Sequence, residues 1–513
     1  MMHNIYIICR QSAAAVFSAA LLLTLTACYS DDGNYDYRPP LDITVSGIDD
    51  VYELTPNGEH LQITPQVTPA GRDYTYFWTI TPATATTAAA VDTIGRELRL
   101  DYAVNLRVGA YKLRFCATDR ATGIFAYKEY LVNVTTDMAT GWWVLKAVGD
   151  STDIDFFAAD KQKADIIHTA NGRRMAGSPL GLMYTPSFWT FSEALLEDEL
   201  TSAVFVASSG DVVALDYFTG QILSRYEDLF IELPPQRRVQ TMFAGPSDVH
   251  VCIDGVVYTM FNSAYNKYKQ FVLKTLGDYT LSPYKVSTHI TLPLLFNDDN
   301  SSFCTLSRNS PVIDYFNDRT GAYSPTNMDM DLLFMGGKTG ANEGDVALAL
   351  MQQKDGQQYW LYNLRGNPSS VAINPINSRT ALKADLQVLQ AEHRALNQNN
   401  NIIYFVKDGR LWSCNLDSQS ERMEEVTIDS GWEVSYMEFV KYDPYGLNDL
   451  WFDYLLIATH CDGRYRLQLH PLSAGRVQPA EKTFEGAGRV QRACYMNQVH
   501  TSYGSYVYTS TLF

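Results

Sequence analysis

Short runs of alternating apolar and polar residues, separated by turn residues, extend over most of the 513-residue chain. This period of two is that of a half-buried β-strand. Between residues 41 and 137 it predicts six or seven strands, among them 74–80, 111–117 and 127–134. So many strands in roughly 95 residues fit an immunoglobulin-like β-sandwich. Trp78, on a central strand, is expected in the core of that sandwich.

From residue 138 to residue 513 the recurring unit is a strand, a tight turn and a second strand. Several of the turns are Asp-Gly, which suits a hairpin turn with positive φ. The turns fall near residues 149, 210, 254, 308, 355, 408 and 462, with Arg308-Asn309 as the weakest. Gaps of about 45 to 60 residues are typical of propeller blades. We therefore predict an all-β chain in which the sandwich precedes a seven-bladed β-propeller, with a second group of sandwiches as the alternative.

Two further segments complete this prediction. The C-terminal run 505–512 has a strand pattern, and we expect it to pair with the first blade and close the ring, which leaves no exposed sheet edge. Residues 381–396 instead have apolar positions near helical spacing, which predicts a short surface helix between blades.

The N-terminus carries a targeting signal. A basic residue, Arg10, precedes an apolar run at 13–25 that has the length of a signal-peptide core and is too short to cross a bilayer. Leu25-Thr26-Ala27-Cys28 resembles the cleavage site of a bacterial lipoprotein signal. The resemblance implies that residues 1–27 are removed and that Cys28 carries acyl chains, two or three of which anchor durably. A secreted protein without lipid is the alternative.

Residues 28–40 read as a solvated leash that ends in the stiff Arg38-Pro39-Pro40. Asp31 and Asp32 follow the cysteine closely. This arrangement resembles the acidic export signal that sends lipoproteins of some Gram-negative gut commensals to the outer face of the outer membrane.

A second resemblance covers the chain as a whole. The segment 109–119, Gly-Ala-Tyr-Lys-Leu-Arg-Phe-Cys-Ala-Thr-Asp, resembles the penultimate strand of a PKD domain, which implies that Tyr111 packs at a corner. The order of lipobox, acidic leash, sandwich and Gly141-Trp142-Trp143-Val144-Leu145 is similar to the PKD-like lipoprotein family. Members of that family are encoded beside outer-membrane TonB-dependent nutrient transporters and their lid lipoproteins, and the resemblance implies that these proteins are partners of this chain.

Composition narrows the choice of partner and chemistry. The chain has 57 acidic against 40 basic residues, a net charge of −17, which disfavours nucleic acid as a partner. Beyond Cys28, the mature chain has six cysteines scattered through apolar strands without a CxxC pair, so neither a zinc knuckle nor a disulfide-dense miniature fold is indicated. We expect most of them to be buried thiols, with one disulfide as the alternative. The six cysteines are Cys116, Cys252, Cys304, Cys414, Cys461 and Cys494.

The sequence shows neither a catalytic nor a cofactor motif whose spacing implies a mechanism, and we expect no cofactor. Propeller glycosidases take two carboxylates from different blades, so a pair such as Asp216 and Asp314 stays an alternative. The clusters 297–300 and Asp329-Met330-Asp331 offer oxygens that suit calcium, although solvated loop acids explain them better.

Aromatic residues give the candidate ligand site. Trp360 and Trp412 follow Asp-Gly turns at similar distances and are expected in blade cores, whereas of Trp142 and Trp143 only one is expected to be buried. Tryptophans in turn-rich segments beside Asn and Asp can stack on sugar rings. The candidate ligand-binding residues are Trp189, Trp432, Trp451, Tyr442, Tyr445 and Asp443.

Three functions fit these observations. The first is a non-catalytic surface lipoprotein that helps a TonB-dependent transporter capture glycan or peptide nutrients. The second is a surface glycan-processing enzyme with two converging carboxylates. The third is a scaffold that docks on neighbouring proteins and binds no small ligand. Because the strands of the sandwich suggest no exposed aromatic cluster, we expect that domain to act as a spacer.

Overall fold

The computed structural model describes residues 41–497 except for 56–59, 84–90, 105, 139, 193–196, 246–247, 261–267, 287–291, 308–309, 319–321, 339–345, 367 and 443–451. Strands dominate throughout this part of the chain, as predicted. Among the described residues, no helix is long and apolar enough to cross a bilayer.

The first nine strands form a sandwich. Its main sheet has the order β2-β9-β8-β5-β6, with β2 parallel to β9, and the ribbons β1-β4 and β3-β7 pair separately from it. The strands are β1 (Thr44–Ser46), β2 (Val51–Leu54), β3 (His60–Ile63), β4 (Gln66–Thr68), β5 (Tyr74–Pro82), β6 (Asp92–Gly95), β7 (Leu100–Ala103), β8 (Gly109–Asp119) and β9 (Phe125–Val134).

The core of the sandwich forms where the ribbon β3-β7 packs on the main sheet. Trp78 is fully buried there, as predicted, and its indole N–H donates to the Glu97 carbonyl at 2.9 Å. The Tyr111 hydroxyl donates to the Arg107 carbonyl at 3.0 Å. This bond is the tyrosine corner of immunoglobulin-like sandwiches.

Seven antiparallel sheets follow, one per blade. Blade 1 contains β10 (Thr140–Val148), β11 (Ser151–Phe157), β12 (Gln162–Lys163), helix α1 (Ile166–Asn171) and β13 (Met175–Ala176). Blade 2 contains β14 (Pro179–Ser192), β15 (Glu197–Ser208), β16 (Asp211–Asp216) and β17 (Ile222–Ser224), followed by helix α2 (Tyr226–Leu229). Blade 3 contains β18 (Val239–Gly245), β19 (Asp248–Ile253), β20 (Val256–Met260) and β21 (Leu273–Lys274), and blade 4 contains β22 (Leu295–Asn297), β23 (Ser302–Thr305) and β24 (Asp314–Tyr315).

The last three blades have longer strands. Blade 5 contains β25 (Met330–Lys338), β26 (Val346–Gln353), β27 (Tyr359–Arg365) and β28 (Ile376–Leu382); blade 6 begins with a 3-10 helix (Gln387–Gln390) and contains β29 (His393–Leu396), β30 (Ile402–Lys407), β31 (Arg410–Asn415) and β32 (Ser420–Met423); blade 7 contains β33 (Glu433–Tyr442), β34 (Phe452–Cys461), β35 (Arg464–His470), the short ribbon β36 (Leu472–Ser473) with β37 (Arg476–Val477), and β38 (Lys482–Ala487).

The final described strand closes the ring. β39 (Arg489–Asn497) follows blade 7 in the chain but pairs antiparallel with β10 of blade 1. The closing strand therefore precedes the predicted segment 505–512, which lies outside the described residues. The predicted ring closure occurs, because the two ends of the propeller share one sheet.

Apolar clusters join each blade to the next around the whole ring. Each central strand is consequently buried on both faces. Trp143 packs towards blade 2 and Trp142 towards blade 7, and they are 0% and 5% exposed. The expectation that only one of them is buried was wrong, because it assumed a sheet with one wet face.

The hairpin turns lie where predicted in six of the seven blades. Asp254-Gly255, Asp408-Gly409 and Asp462-Gly463 have positive φ at both residues, as a two-residue turn of this type requires. In blade 4 the turn connects Asn297 to Ser302 instead of lying at Arg308-Asn309. The prediction failed there because this turn has four residues and no glycine.

The helix predicted at 381–396 was also wrong. This segment ends β28, passes through the 3-10 helix 387–390 and begins β29. Leu382, Leu386 and Leu389 have helical spacing but are buried between blades 5 and 6. Their burial comes from the packing of two neighbouring sheets and not from one helical face.

Candidate functional site

The innermost strand is the first strand in blades 2, 3, 5, 6 and 7 and the closing strand β39 in blade 1. β14 packs against β18, β25 against β29, β29 against β33, and both β33 and β14 against β39. In blade 4 the segment 281–286 takes this position: Leu281 and Val286 form bridges with Asn297 and Leu294 beside β22. The propeller axis is therefore lined by these strands and by segment 281–286.

Polar side chains from four blades meet at this axis, and we call them the axial cluster: Thr241, Lys285, Tyr436, Glu438 and Arg492. The Lys285 ammonium donates to Thr241 Oγ1 at 3.0 Å and to the Pro283 carbonyl at 3.4 Å. Tyr436 donates to Glu438 and lies 3.2 Å from the Ala493 carbonyl. Arg492, on β39, interacts electrostatically with both Lys285 and Glu438, so opposite sides of the ring meet here.

The surroundings of the axial cluster shift its titration. Burial lowers the pKa of Lys285 to about 7, and the charge of Arg492 acts in the same direction. Burial raises the pKa of Glu438, although Arg492 and the Tyr436 hydrogen bond oppose it. Burial, together with the Glu438 charge, also holds the pKa of Tyr436 well above its usual value.

Lys285, Tyr436, Glu438 and Arg492 nevertheless all retain partial exposure. Burial shifts the pKa of Lys285, Tyr436 and Glu438, while solvent still reaches all four side chains. Two basic groups stand here against one carboxylate, in a chain whose net charge is −17. The axial cluster is thus a small basic region in an acidic protein. A region lined by charges of one sign raises the local concentration of ligands with the opposite charge.

Arg394 lies on β29 nearby but has a structural role. Its guanidinium donates to the carbonyls of Val388 at 2.7 Å and Leu389 at 2.9 Å. These carbonyls belong to the 3-10 helix of blade 6. Arg394 therefore holds this turn in place, and we do not count it in the axial cluster.

A second group of charges has a buried centre and a partly exposed edge, and we call it the buried ion network: Lys146, Asp153, Asp155 and Tyr465 are buried, and Asp165 and Arg174 are each 30% exposed. The Lys146 ammonium, 1% exposed, lies 2.6 Å from Asp155 and 2.9 Å from Asp165. Tyr465, from blade 7, donates to Asp155 at 2.6 Å. Asp153 and Asp155 are completely buried, and the bond from Tyr465 to Asp155 joins blades 1 and 7.

The close packing of the buried ion network explains a glycine. A Cβ at Gly486 would lie 2.6 Å from the Tyr465 hydroxyl and 2.7 Å from Asp155 Oδ2. Only a residue without a side chain allows blade 7 to approach blade 1 this closely.

Several predicted site residues lie outside the described residues: Cys28, Asp31, Asp32, Asp443, Tyr445 and Trp451. Tyr442 is paired with Phe452 in the sheet of blade 7. Trp189 lies within β14, opposite Leu200, and not in a loop as predicted. Strand β14 continues past the expected turn because β15 pairs with it on both sides of an irregularity between Thr185 and Phe188.

Trp432 immediately precedes β33, as its turn-rich context suggested. The Arg466 guanidinium lies 4.2 Å from the centroid of its ring, and Asp429 holds that arginine at 2.7 Å. One face of the indole is therefore covered by a cation. The structure places Trp189 and Trp432 on blades 2 and 7, and the two do not form one platform.

Among the remaining polar candidates, Asp216 and Asn297 support turns, whereas Asp314 is paired with Thr305 in the sheet of blade 4. Asp216 Oδ1 accepts hydrogen bonds from the Phe218 and Thr219 amides and the Thr219 hydroxyl, which occupies it in the loop after β16. Asn297 Oδ1 accepts from the amides of Thr280 and Asp299, at 3.1 Å each. Within the described part of the chain, no group of three or more His, Cys, Asp or Glu side chains could hold a metal ion.

The cysteines and the blade tryptophans occupy structural positions. All six described cysteines are free thiols, four buried and two half-buried. Trp360 and Trp412 are half-buried. Trp360 packs against the apolar cluster between blades 4 and 5, and Trp412 packs against the cluster between blades 5 and 6, close to the predicted core positions. Trp360 also lies under the Arg379 guanidinium, 4.2 Å from its ring centroid.

The sandwich has an exposed aromatic face that sequence reasoning missed. Phe77, Phe125 and Tyr127 are 37%, 61% and 57% exposed. Phe77 and Tyr127 flank Cys116 in register on neighbouring strands, so they share the outer face of the main sheet. The guanidinium of Arg96 lies 5.1 Å from the Phe77 ring and that of Arg114 lies 4.9 Å from the Tyr127 ring. The statement that this domain has no exposed aromatic cluster was wrong.

The strand pairing defines the class of protein: a β-propeller of seven sheets preceded by an immunoglobulin-like sandwich. Residues 28–179 match the model of the PKD-like family, which covers the sandwich and continues into blade 1. A search of curated protein sequences gave no match.

Solved structures give distant likenesses. A quinoprotein alcohol dehydrogenase-like protein from Bacteroides thetaiotaomicron VPI-5482 has 14% identity and a TM-score of 0.39, covering 86% of this chain and 96% of that one. Hsv2 from Kluyvelomyces marxianus has 10% identity and a TM-score of 0.36, covering 67% and 94%. At these TM-scores we draw the architecture from the strand pairing itself.

Proposed function

We propose that this protein is a lipid-anchored, non-catalytic binding protein of the outer cell surface that captures glycan or peptide nutrients for a neighbouring TonB-dependent transporter. The anchor is inferred from the Leu25-Thr26-Ala27-Cys28 signal and the exposed position from Asp31 and Asp32. The match to the PKD-like family begins at residue 28, where the mature chain would start. The transporter and its lid lipoprotein are the partners that the family resemblance implies.

The convergence of side chains at the propeller axis is the observation that carries the binding role. Thr241, Lys285, Tyr436, Glu438 and Arg492 come from four blades and retain partial exposure while protein surrounds them. A concave site with a few convergent polar groups is the usual form of a small-ligand site. Among the described members of the axial cluster, Glu438 is the one carboxylate, whereas glycoside hydrolysis of the usual kind needs two. Binding without hydrolysis therefore fits this cluster better than the enzyme alternative.

The exposed aromatic face of the sandwich favours a second candidate, in which the N-terminal domain also contacts the ligand. Phe125 and Tyr127 lie two positions apart on β9, on one face of the sheet. Exposed aromatic rings with neighbouring arginines suit stacking on sugar rings or on another protein. The spacer and the binder roles of this domain give different results in the experiment below.

We expect the lipidated chain, purified in detergent, to bind members of a glycan and peptide array and to leave them chemically unchanged. Wild type is compared with the double variant Phe125→Ser, Tyr127→Ser, whose substitutions lie on an exposed face and should not disturb the core. If the sandwich is a spacer, the variant keeps the affinity of wild type within about twofold; a loss of tenfold or more identifies it as a binder. Hydrolysis products, or an array without any binding, would contradict the proposed function.

Replacement of the lipidation residue tests the anchor. Cys28→Ser removes the thiol that accepts the lipid, so we expect the acyl mass to disappear and the protein to leave the outer-membrane fraction, as read by intact mass spectrometry and fractionation. The double variant Asp31→Asn, Asp32→Asn is the matched control, which should keep its lipid and lose surface labelling. An unmodified Cys28 in wild type would exclude the lipoprotein assignment.

A further inference from the structure

We infer that the axial cluster binds ligands through an anionic group, a carboxylate or a phosphate, held between Lys285 and Arg492. This inference rests on the proposed function, because it specifies the ligand chemistry of the same site. It concerns small anions that fit into the axis and not large polyanions, which the net charge of −17 would repel.

Two like charges, those of Lys285 and Arg492, lie close together at the axis. Arg492 of blade 1 lies close enough to Lys285 of blade 4 to disfavour its protonated form. Two cations held together by a rigid ring repel each other, and this repulsion is strong where protein replaces water. An anion placed between them turns this repulsion into attraction.

Lys285 can donate more hydrogen bonds than its described neighbours accept. An ammonium group has three N–H donors. The described residues offer it two neutral acceptors, the Thr241 hydroxyl and the Pro283 carbonyl, the latter at a long 3.4 Å. The Phe243 ring lies beneath the ammonium, with its centroid 5.6 Å away, and fixes the side chain from below. A charged acceptor from a ligand would complete the set with a stronger bond than either neutral acceptor gives.

The carboxylate of the axial cluster, Glu438, lies beside Arg492. Glu438 interacts with Arg492 and accepts the Tyr436 hydrogen bond. It compensates one of the two cations from the side of blade 7. For Lys285, on the other wall, the described groups that shift its titration are Arg492 and the Cys252 thiol, and neither is a carboxylate. The uncompensated charge therefore sits on the wall formed by blades 3 and 4.

The test uses calorimetric titration of the lipidated chain with three small probes: glucuronate, its uncharged methyl ester and glucose 6-phosphate. We expect at least one of the anions to bind tenfold or more tightly than the methyl ester. Tighter binding of glucuronate identifies a carboxylate ligand, and tighter binding of glucose 6-phosphate identifies a phosphate ligand. Equal binding of all three probes, or binding of neither anion, would overturn the inference.

Variants separate the axial cluster from general charge effects. Lys285→Met should reduce the affinity for the preferred anion about tenfold and leave the methyl ester unaffected, whereas Lys285→Arg should keep it. Lys274→Met, on the outer strand of blade 3, removes the same charge away from the axis and should change nothing. If Lys285→Met binds the anion as wild type does, the inference is wrong while the proposed function still stands on the array result.

The pH dependence provides a readout that a purely structural role would not move. Lys285 is faced by Arg492, the Cys252 thiol and Thr241, and across the axis by Glu438. Raising the pH from 6 to 8 removes the Lys285 proton, whereas the carboxylate of glucuronate stays ionised. Glucuronate is used for this measurement because a phosphate probe loses its second proton near pH 6, and the affinity for glucuronate should fall in wild type over this range. In Lys285→Arg, which stays charged, the affinity should stay nearly constant. An equal fall in both proteins would assign the effect to another group and contradict the role of Lys285.

Discussion

Asp155→Asn is expected to lower the free energy of unfolding of the propeller by about 3 to 5 kcal/mol. The Lys146 ammonium is 1% exposed and lies 2.6 Å from the Asp155 carboxylate. Removal of this charge leaves a buried cation whose remaining direct ion pair is the one with Asp165, at 2.9 Å. The Tyr465 hydroxyl loses its charged acceptor at the same time. Urea unfolding followed by tryptophan fluorescence measures the change.

The matched control for this prediction is Asp429→Asn. Asp429 pairs with Arg466 at 2.7 Å, but its side chain is 64% exposed. Exposed ion pairs contribute about 0 to 1 kcal/mol, so the same chemical change should have a small effect there. If both variants lost equally little stability, the buried ion network would not hold blades 1 and 7 together.

A double replacement separates charge from shape at the same place. Lys146→Met with Asp155→Leu removes the cation together with its partner. Because no uncompensated charge then stays buried, we expect part of the stability lost in Asp155→Asn to return. This result would show that the network specifies how blades 1 and 7 pack against each other and contributes little to the free energy of unfolding of the propeller.

The repeating fold was predictable because each blade repeats a local signal. Asp-Gly turns with positive φ mark hairpins without reference to the rest of the chain, and their spacing gave the seven blades. In blade 4 this local signal is missing. Its turn at 298–301 has no glycine, and its inner position is occupied by the irregular segment 281–286, which is recognised only by its bridges to β22.

Burial in this fold depends on neighbours that the sequence does not reveal. Alternation in a strand indicates two faces, but not that both are covered, and the adjacent Trp142 and Trp143 were misjudged for this reason. The spacing of Leu382, Leu386 and Leu389 likewise suggested a helix although two sheets bury these residues. Tertiary packing decided both cases.

The axial cluster could not be derived from sequence spacing. Lys285, Glu438 and Arg492 are far apart in the chain and meet because a ring brings its inner strands together. Their local signals are weak: Glu438 stands between apolar residues in Tyr-Met-Glu-Phe-Val, but β39 carries Arg489 as well as Arg492, and Lys285 lies outside the strands. Tryptophans in turns were the more conspicuous candidates, but Trp189 is in a strand and Trp432 is covered by Arg466.

Lys285→Met is expected to make the protein more stable while it weakens anion binding. Burial lowers the pKa of Lys285 from its usual 10.5 to about 7. The unfolded chain therefore binds more protons at this residue between pH 7 and 10.5, and the stability of wild type should rise with pH over this window. Below pH 7 the lysine is charged in both states, so the cost of burying the charge is fully present. Functional sites commonly keep such unfavourable groups.

The measurement compares wild type and Lys285→Met in urea at pH 6 and at pH 9. At pH 6 we expect the variant to be more stable by about 1 kcal/mol or more, and at pH 9 we expect the difference to shrink. Methionine has a similar length and packs on Phe243 without a charge, while the partly exposed Thr241 hydroxyl can bond to water instead. Lys274→Met serves as the control and should show no pH-dependent difference. A variant less stable than wild type at pH 6 would mean that Lys285 supports the fold, and that its charge is not kept at the axis for a ligand.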